Sequence, residues 1–188
     1  PVDKKFKKEE VKGVSAKVIT GAIIAGDLYP ATAIGINLPN SNWIRSVHGS
    51  KSVTIGNFTE AYNMAALGNG FNEEFMLRAE DRERIAQHGK LSDDLHTDLH
   101  ECLGHGSGQL AEGVKGGELK SYTSTLEEAR ADLFGLYYLG DPKMVEIGLI
   151  PSLDVAKAQY ADYIMNGMMT QFSRIELGKN VEESHMRN

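Results

Sequence analysis

Two histidines and a glutamate within six residues, His100, Glu101 and His105, are the side chains in this sequence best suited to metal chemistry. Imidazole nitrogen and carboxylate oxygen are the usual ligands of a catalytic Zn²⁺, which takes three protein groups and leaves one position for water. In the common H-E-x-x-H pattern the two histidines bind the metal and the glutamate next to the first one is the general base. The sequence therefore predicts two metal ligands, His100 and His105, and a base, Glu101.

The spacing of the two histidines requires a distorted helix. They stand five positions apart instead of four, which on an ideal helix separates the rings by roughly 140° instead of about 40°. A single π-type turn aligns positions i and i+5 and is often found at functional sites. Gly104 supplies backbone freedom for such a turn. We predict a locally unwound helix; the alternative is a polar helix face that exposes both histidines.

A third metal ligand is expected from a second acidic cluster, Glu127, Glu128 and Asp132. Residues 124–127, Ser-Thr-Leu-Glu, match a capping box at the start of a helix. That role accounts for Glu127 and leaves Glu128 as the better ligand candidate.

Two other residues near the motif are candidate ligands. His96 lies four positions before His100 and would form a rival metal pair, but we predict a surface histidine. Cys102 is the only thiol, and on a regular helix it points to a different face from His100. We therefore do not expect Cys102 to close the site as a fourth ligand.

Together, the motifs resemble those of the dipeptidyl peptidase III family, zinc exopeptidases that release dipeptides from peptide N-termini. The family patterns H-E-x-x-G-H and E-E-x-R-A-[ED] stand here as HECLGH, residues 100–105, and EEARAD, residues 127–132. Asp132 replaces the Glu of animal members, and the short gap between the motifs resembles bacterial members. The resemblance extends to GINLPN, residues 35–40, and ESHM, residues 183–186, and so covers most of the chain.

The resemblance implies a role for each matching residue. It implies one Zn²⁺ per chain, with Glu128 as the ligand beside the two histidines, and with Glu127 and Asp132 orienting those histidines. It also implies that Asn37 and Asn40 bind the peptide backbone of the substrate and that His185 stabilises the oxyanion. By themselves, Asn37 and Asn40 around Pro39 are typical of a turn, and His185 is typical of a helix surface.

Composition narrows the class of protein. The chain has 188 residues, a net charge of −6 and one cysteine, which argues against a nucleic-acid binder and excludes an internal disulfide framework. No apolar run approaches the length of a membrane span, and residues 1–12 lack a signal-peptide core. We therefore predict a cytoplasmic protein that binds neither nucleic acid nor membrane.

The predicted fold is mainly α with a β-containing N-terminal part, an α+β arrangement. Short β-branched runs occupy residues 15–57, and helical patterns follow, with helices expected from Asn72 to Gly89 and again from Ser92. By resemblance, residues 1–66 belong to a β-rich lobe that contributes to the substrate cleft, and residues 67–188 form the helical zinc-binding lobe of a two-lobed metallopeptidase. The chain then resembles an internal catalytic fragment, truncated at its C-terminus, which needs the remainder of the peptidase to complete its cleft.

Two functions from different classes fit these features. The first is a zinc-dependent exopeptidase that releases dipeptides from oligopeptides, with a zinc-activated water and Glu101 as the base. The second is a catalytically inert, zinc-stabilised module that binds peptides or a partner. The presence of Glu101 favours the enzyme, because a structural zinc site needs four protein ligands and no base.

Overall fold

The structure, a computed structural model, describes residues 15–22, 34–39, 44, 47–49, 51–107, 111–114, 117–171, 173 and 175–179. Helices dominate these ranges, and strands occur only before residue 56. The predicted fold class, mainly α with a β-containing N-terminal part, is therefore confirmed.

Three short strands form a mixed sheet: β1 (Ser15–Ile19), β2 (Gly35–Leu38) and β3 (Lys51–Ile55). β3 lies in the centre, parallel to β1 and antiparallel to β2. The three segments are the β-branched runs that the sequence analysis identified as strands.

Three helices follow the sheet: α1 (Gly56–Ala66), α2 (Phe71–Phe75) and the long α3 (Ala79–Leu99). The predicted break between Gly89 and Ser92 is absent, because both residues lie inside α3. Ser92 is fully buried and its hydroxyl donates to the carbonyl oxygen of Gly89 at 2.9 Å. The side chain that was expected to cap a new helix therefore bonds back to the preceding turn of the same one.

A π-helical turn, His100–Gly104, continues α3 without interruption. A 3₁₀ turn, Lys120–Tyr122, precedes α4 (Thr123–Leu139). The other helices are α5 (Lys143–Glu146) and α6 (Asp154–Met165), which leads into a second π-helical segment, Asn166–Gln171. The predicted capping box is wrong: α4 begins at Thr123 and has no side-chain cap.

The hydrophobic core lies where the long helices meet. Leu95 and Leu99 of α3 are four residues apart, so they share one helix face, and both pack against the core. The core itself is formed by the buried side chains of Leu139, Met144, Ile150, Val155 and Ala156. This packing fixes α3 and its π-helical turn against α4 and α6.

One face of the sheet lies against α3 and the π-helical turn. Gly35 pairs with Thr54, and Asn37 pairs with Ser52, across β2 and β3. These residues alternate along their strands, so they share a face. From this face the Thr54 hydroxyl donates to the Asp98 carboxylate at 3.2 Å. The sheet is thereby held beside the motif that carries the metal chemistry.

Of the helices within the described ranges, none has the length and apolar composition needed to cross a lipid bilayer.

Candidate metal centre

The π-helical turn aligns His100 with His105. The backbone N–H of His105 donates to the carbonyl oxygen of His100 at 2.9 Å, a bond that spans five residues. The two rings lie edge to face with their centroids 4.7 Å apart. The predicted local unwinding is therefore confirmed, and both imidazoles lie on one side of the helix.

Gly104 has a second role that the sequence did not indicate. A Cβ at this position would lie 2.6 Å from the Cα of Ala131 and 2.7 Å from its Cβ. Gly104 therefore permits close contact between the π-helical turn and α4, which carries the acidic cluster.

Glu128 of α4 faces both histidines. Its Oε2 atom lies 3.3 Å from Nε2 of His100 and 3.5 Å from Nε2 of His105. Ligand atoms of the three residues all lie within 4.8 Å of one another. Two imidazole nitrogens and one carboxylate oxygen are a donor set that suits Zn²⁺ and resembles catalytic sites with three protein ligands. The residues present therefore fit the predicted metal.

The opposite nitrogen of each imidazole is held by a different carboxylate. Nδ1 of His100 lies 2.7 Å from Oδ1 of Asp132, and Nδ1 of His105 lies 3.0 Å from Oε1 of Glu127. When Nδ1 carries the ring proton and donates it to a carboxylate, Nε2 is the nitrogen that can bind a metal. The structure thus brings Glu127 and Asp132 to the positions that suit their predicted orienting roles.

Arg130 fixes Glu127 in turn. Its guanidinium donates to both carboxylate oxygens of Glu127, from Nε at 3.1 Å and from Nη2 at 2.6 Å. It also donates to the carbonyl oxygen of Ser107 at 3.1 Å, beyond the π-helical turn. Arg130 thereby joins α4 to the segment that follows His105, a role that the sequence analysis did not predict.

Electrostatics in this cluster favour bound cations. Burial lowers the pKa of His105, but hydrogen bonds to Glu127 and Glu128 outweigh it and raise the pKa to about 9. Burial likewise opposes the ionised form of Glu127, yet hydrogen bonds from His105 and Arg130 hold its pKa at about 2. The negative charges that stabilise a protonated His105 would therefore also stabilise a metal cation.

Glu101 lies next to the histidines on the sheet side. It is buried, with 8% of its surface exposed. The side-chain amide of Asn37 donates to its backbone carbonyl at 2.7 Å. A Cβ on Gly35 would lie 3.0 Å from Oε1 of Glu101, so the glycine in β2 provides space for the carboxylate. The buried setting suits a general base that must reach one water molecule.

His96 is not a surface histidine, and that prediction is wrong. Only 6% of its surface is exposed, and Nε2 lies 3.4 Å from Oδ1 of Asp132. His96, His100 and Asp132 form a second group with ligand-type atoms close together. The 2.7 Å contact from His100 to Asp132 is a hydrogen-bond distance.

The remaining candidates from the sequence are Cys102, Asn40 and His185. Cys102 is half-buried, and among the described residues it belongs to neither group of candidate metal ligands. Asn40 and His185 lie outside the described residues. Tyr163 of α6, whose hydroxyl donates to Asp132 at 2.6 Å, had no recognisable signal in the sequence.

A family model and several known proteins match this chain. The family model described as Peptidase family M49 matches residues 24–119, just over half of the chain. Dipeptidyl peptidase 3 of Mus musculus is 29% identical over an alignment of 172 positions, which covers 74% of this chain and 22% of the mouse protein. Dipeptidyl peptidase 3 of Dictyostelium discoideum is 28% identical over an alignment of 202 positions, which covers 87% of this chain and 27% of that protein.

The fold has a counterpart among solved structures. The structure of DPP III from Caldithrix abyssi superposes with a TM-score of 0.67 at 25% identity, covering 97% of this chain and 34% of that one. The chain therefore spans about a fifth to a third of the length of these relatives. On the match of the family model and these likenesses, the chain belongs to peptidase family M49.

Proposed function

We propose that His100, His105 and Glu128 bind one Zn²⁺, and that they form the catalytic centre of a peptidase that releases dipeptides from the N-termini of oligopeptides. The observation that carries this proposal is the convergence of both Nε2 atoms on one oxygen of Glu128, at 3.3 and 3.5 Å. Glu127 and Asp132 hold the opposite nitrogens, which makes the imidazoles better donors and fixes their orientation.

Hydrolysis adds water across the peptide C–N bond, and a residue of the chain must transfer a proton from that water to the leaving amine. When bound, Zn²⁺ supplies a water of lowered pKa and a positive charge that polarises the substrate carbonyl. The Glu101 carboxylate accepts a proton from the attacking water and returns it to the nitrogen of the leaving amine. Its charge raises the pKa of His105, which supports a position near the proposed ligands, and its burial limits competition from bulk solvent.

In addition to its contact with Glu101, Asn37 is proposed to bind the substrate backbone. Its Nδ2 is engaged by the carbonyl of Glu101. Its Oδ1 is buried without a hydrogen-bond partner within the described part of the chain; an extended peptide that reached it would supply the missing N–H donor. The proposal retains Asn40 as a second backbone contact and His185 as the group that stabilises the oxyanion, both from the family resemblance.

The remainder of a longer polypeptide is proposed to complete the substrate cleft. The chain covers 34% of the DPP III structure that it resembles, and the division at residues 66 and 67 into a β-rich part and a helical part remains a prediction. A cytoplasmic location, and the absence of nucleic-acid and membrane partners, also remain predictions.

Replacing Glu101 by Gln tests the mechanism, because the amide keeps the size and polarity of the side chain but cannot accept the proton. We expect stoichiometric zinc by elemental analysis and a fall of about 10²-fold or more in kcat for release of dipeptides from dipeptidyl-arylamides. Both zinc content and kcat should be measured on the full-length protein that contains these residues. Glu83→Gln, on the exposed face of α3, is the matched control and should leave both values unchanged.

The outcomes separate the candidate functions. Unchanged turnover in Glu101→Gln would show that another residue is the base. Stoichiometric zinc without any dipeptide release by the wild-type protein would favour the inert binding module. Absence of zinc from the wild-type protein would contradict the proposed ligands.

A further inference from the structure

Two side chains that the proposed mechanism does not use converge on Asp132. The hydroxyl of Tyr163 donates to Oδ2 of Asp132 at 2.6 Å, and Nε2 of His96 lies 3.4 Å from Oδ1. The same Oδ1 atom contacts Nδ1 of His100 at 2.7 Å. Three elements, α3, α4 and α6, therefore meet at one carboxylate, which lies directly behind a proposed zinc ligand.

The ring of His96 is held in a slot between α4 and α6. It stacks on Tyr163 with centroids 5.2 Å apart and an interplanar angle of 16°. On α4, a Cβ at Gly135 would lie 3.2 Å from both Nε2 and Cδ2 of this ring. The glycine on one side and the tyrosine on the other leave the imidazole little room to rotate.

The hydrogen bonding of His96 indicates where its proton lies. Nδ1 is buried and has no hydrogen-bond partner among the described residues. A buried N–H without an acceptor is rarer in proteins than a buried acceptor without a donor. With its proton on Nε2, the ring leaves no N–H unsatisfied and directs that N–H towards Asp132.

These contacts restrict the Asp132 carboxylate. A free aspartate can rotate about its last torsion angle, which has a broad preference. Donors on both oxygens, Tyr163 on Oδ2 and His96 on Oδ1, hold the group in one orientation. In that orientation Oδ1 accepts from Nδ1 of His100, so that Nε2 of His100 faces Glu128 at 3.3 Å.

We propose that Tyr163 and His96 are positioning residues, which fix Asp132 and through it orient His100 for metal binding. The inference rests on the proposed zinc site. Carboxylates behind zinc-bound histidines typically change metal affinity about 10- to 100-fold when they are altered. Helix α6 would thus contribute to the metal centre although none of its described residues belongs to a group of candidate ligands.

The test compares two tyrosines of the same helix. Tyr163→Phe removes the hydroxyl that bonds Asp132, and Tyr160→Phe removes a hydroxyl that donates to the Leu136 carbonyl at 3.2 Å. Both hydroxyls join α6 to α4, so both variants lose one hydrogen bond between the same helices. We expect Tyr163→Phe to raise the zinc Kd about 10-fold or more, and Tyr160→Phe to leave it unchanged, as measured by competition with a chromogenic chelator.

His96→Phe provides a second variant, because the ring can still stack on Tyr163 while Nε2 is lost. We expect it to weaken zinc binding less than Tyr163→Phe does, since the contact from Nε2 is 3.4 Å and that from the hydroxyl is 2.6 Å. Cobalt-loaded samples should show an altered absorption spectrum in Tyr163→Phe and an unaltered one in Tyr160→Phe.

A measurement on the metal-free chain separates this inference from the proposed function. The Nδ1–H proton of His100 should give a sharp NMR signal in the wild type and in Tyr160→Phe, and exchange faster in Tyr163→Phe. A wild type that binds no zinc would contradict the proposed function, while the NMR signal would still decide the positioning role. An unchanged signal and Kd in Tyr163→Phe, or equal losses in both tyrosine variants, would overturn the inference.

Discussion

Glu127 and Glu128 are neighbours in sequence but contact opposite sides of the histidines. Successive residues of a helix differ by about 100° in direction. Glu128 therefore faces the Nε2 atoms, while Glu127 bonds Nδ1 of His105 and the guanidinium of Arg130. The predicted cap did not form, yet the assignment of Glu128 as the ligand candidate agrees with the geometry.

This difference predicts different effects of two alanine substitutions. Glu128→Ala leaves two imidazoles and should lose zinc on dialysis. Glu127→Ala keeps all three proposed ligands and should retain zinc with an affinity about 10- to 100-fold lower. Elemental analysis after dialysis against graded chelator measures both effects. Equal zinc content in the two variants would contradict the assignment of Glu128.

At the scale of elements, the site depends on close contact between the π-helical turn and α4. Gly104 lies against Ala131 of α4, and both are buried. Because α4 carries Glu127, Glu128 and Asp132, the distance between these two elements sets every contact with the histidines. A small residue at each contact point keeps that distance short.

Gly104→Ala should therefore destabilise the chain and weaken zinc binding. The added Cβ would lie 2.6 Å from the Cα of Ala131, and backbone at that distance can move only by separating the two elements. Overpacking of this kind costs about 1–3 kcal/mol, measured as a lower free energy of unfolding in denaturant. Gly167→Ala is the control, because a Cβ there has no neighbour within 4 Å. Wild-type stability and zinc affinity in Gly104→Ala would show that the contact can relax.

At the scale of the whole molecule, α3 and α6 carry two half-buried acidic groups, Asp93 and Asp162. Burial raises the pKa of Asp93, and the negative charges of Asp162 and Asp94 raise it further, while His96 and Lys90 oppose the shift. Burial also raises the pKa of Asp162. Neither group belongs to a cluster of candidate metal ligands among the described residues, so their main expected effect is on stability.

The sign of the pH effect follows from these shifts. A carboxyl whose pKa is higher in the folded chain favours folding while it is protonated, and that contribution is lost as the pH rises through the folded pKa. Asp93→Asn should therefore raise the free energy of unfolding at pH 7 and have little effect below the pKa of the unfolded carboxyl, about 3.9. Urea titrations across this pH range measure the difference.

Asp94→Asn is the matched control for this prediction. Asp94 forms an exposed ion pair with Lys90 at 2.8 Å, and the stability contributed by such pairs is small. This variant should gain less stability at pH 7 than Asp93→Asn, because removing its charge relieves repulsion of Asp93 but also breaks the ion pair with Lys90. A gain as large as that of Asp93→Asn would mean that net charge, and not burial of Asp93, controls the effect.

The sequence by itself determined what depends on local spacing and residue chemistry. The five-residue interval between His100 and His105 required the π-helical turn that is observed, because backbone geometry alone relates that spacing to the direction of the rings. The β-branched runs before residue 56 formed strands, and the helical patterns after it formed helices, although the helix expected from Asn72 is interrupted between Phe75 and Ala79.

Only the tertiary structure decided how distant segments meet. His96 became a buried partner of Asp132 because Gly135 and Tyr163, distant in sequence, enclose its ring. Ser92 stayed inside α3 because burial of that segment outweighed a local tendency to cap. Gly104 is needed for contact with Ala131, and that requirement arises only when α4 packs on the π-helical turn. Local sequence fixes backbone direction and donor type, whereas contact between elements depends on the free energy of packing the whole chain.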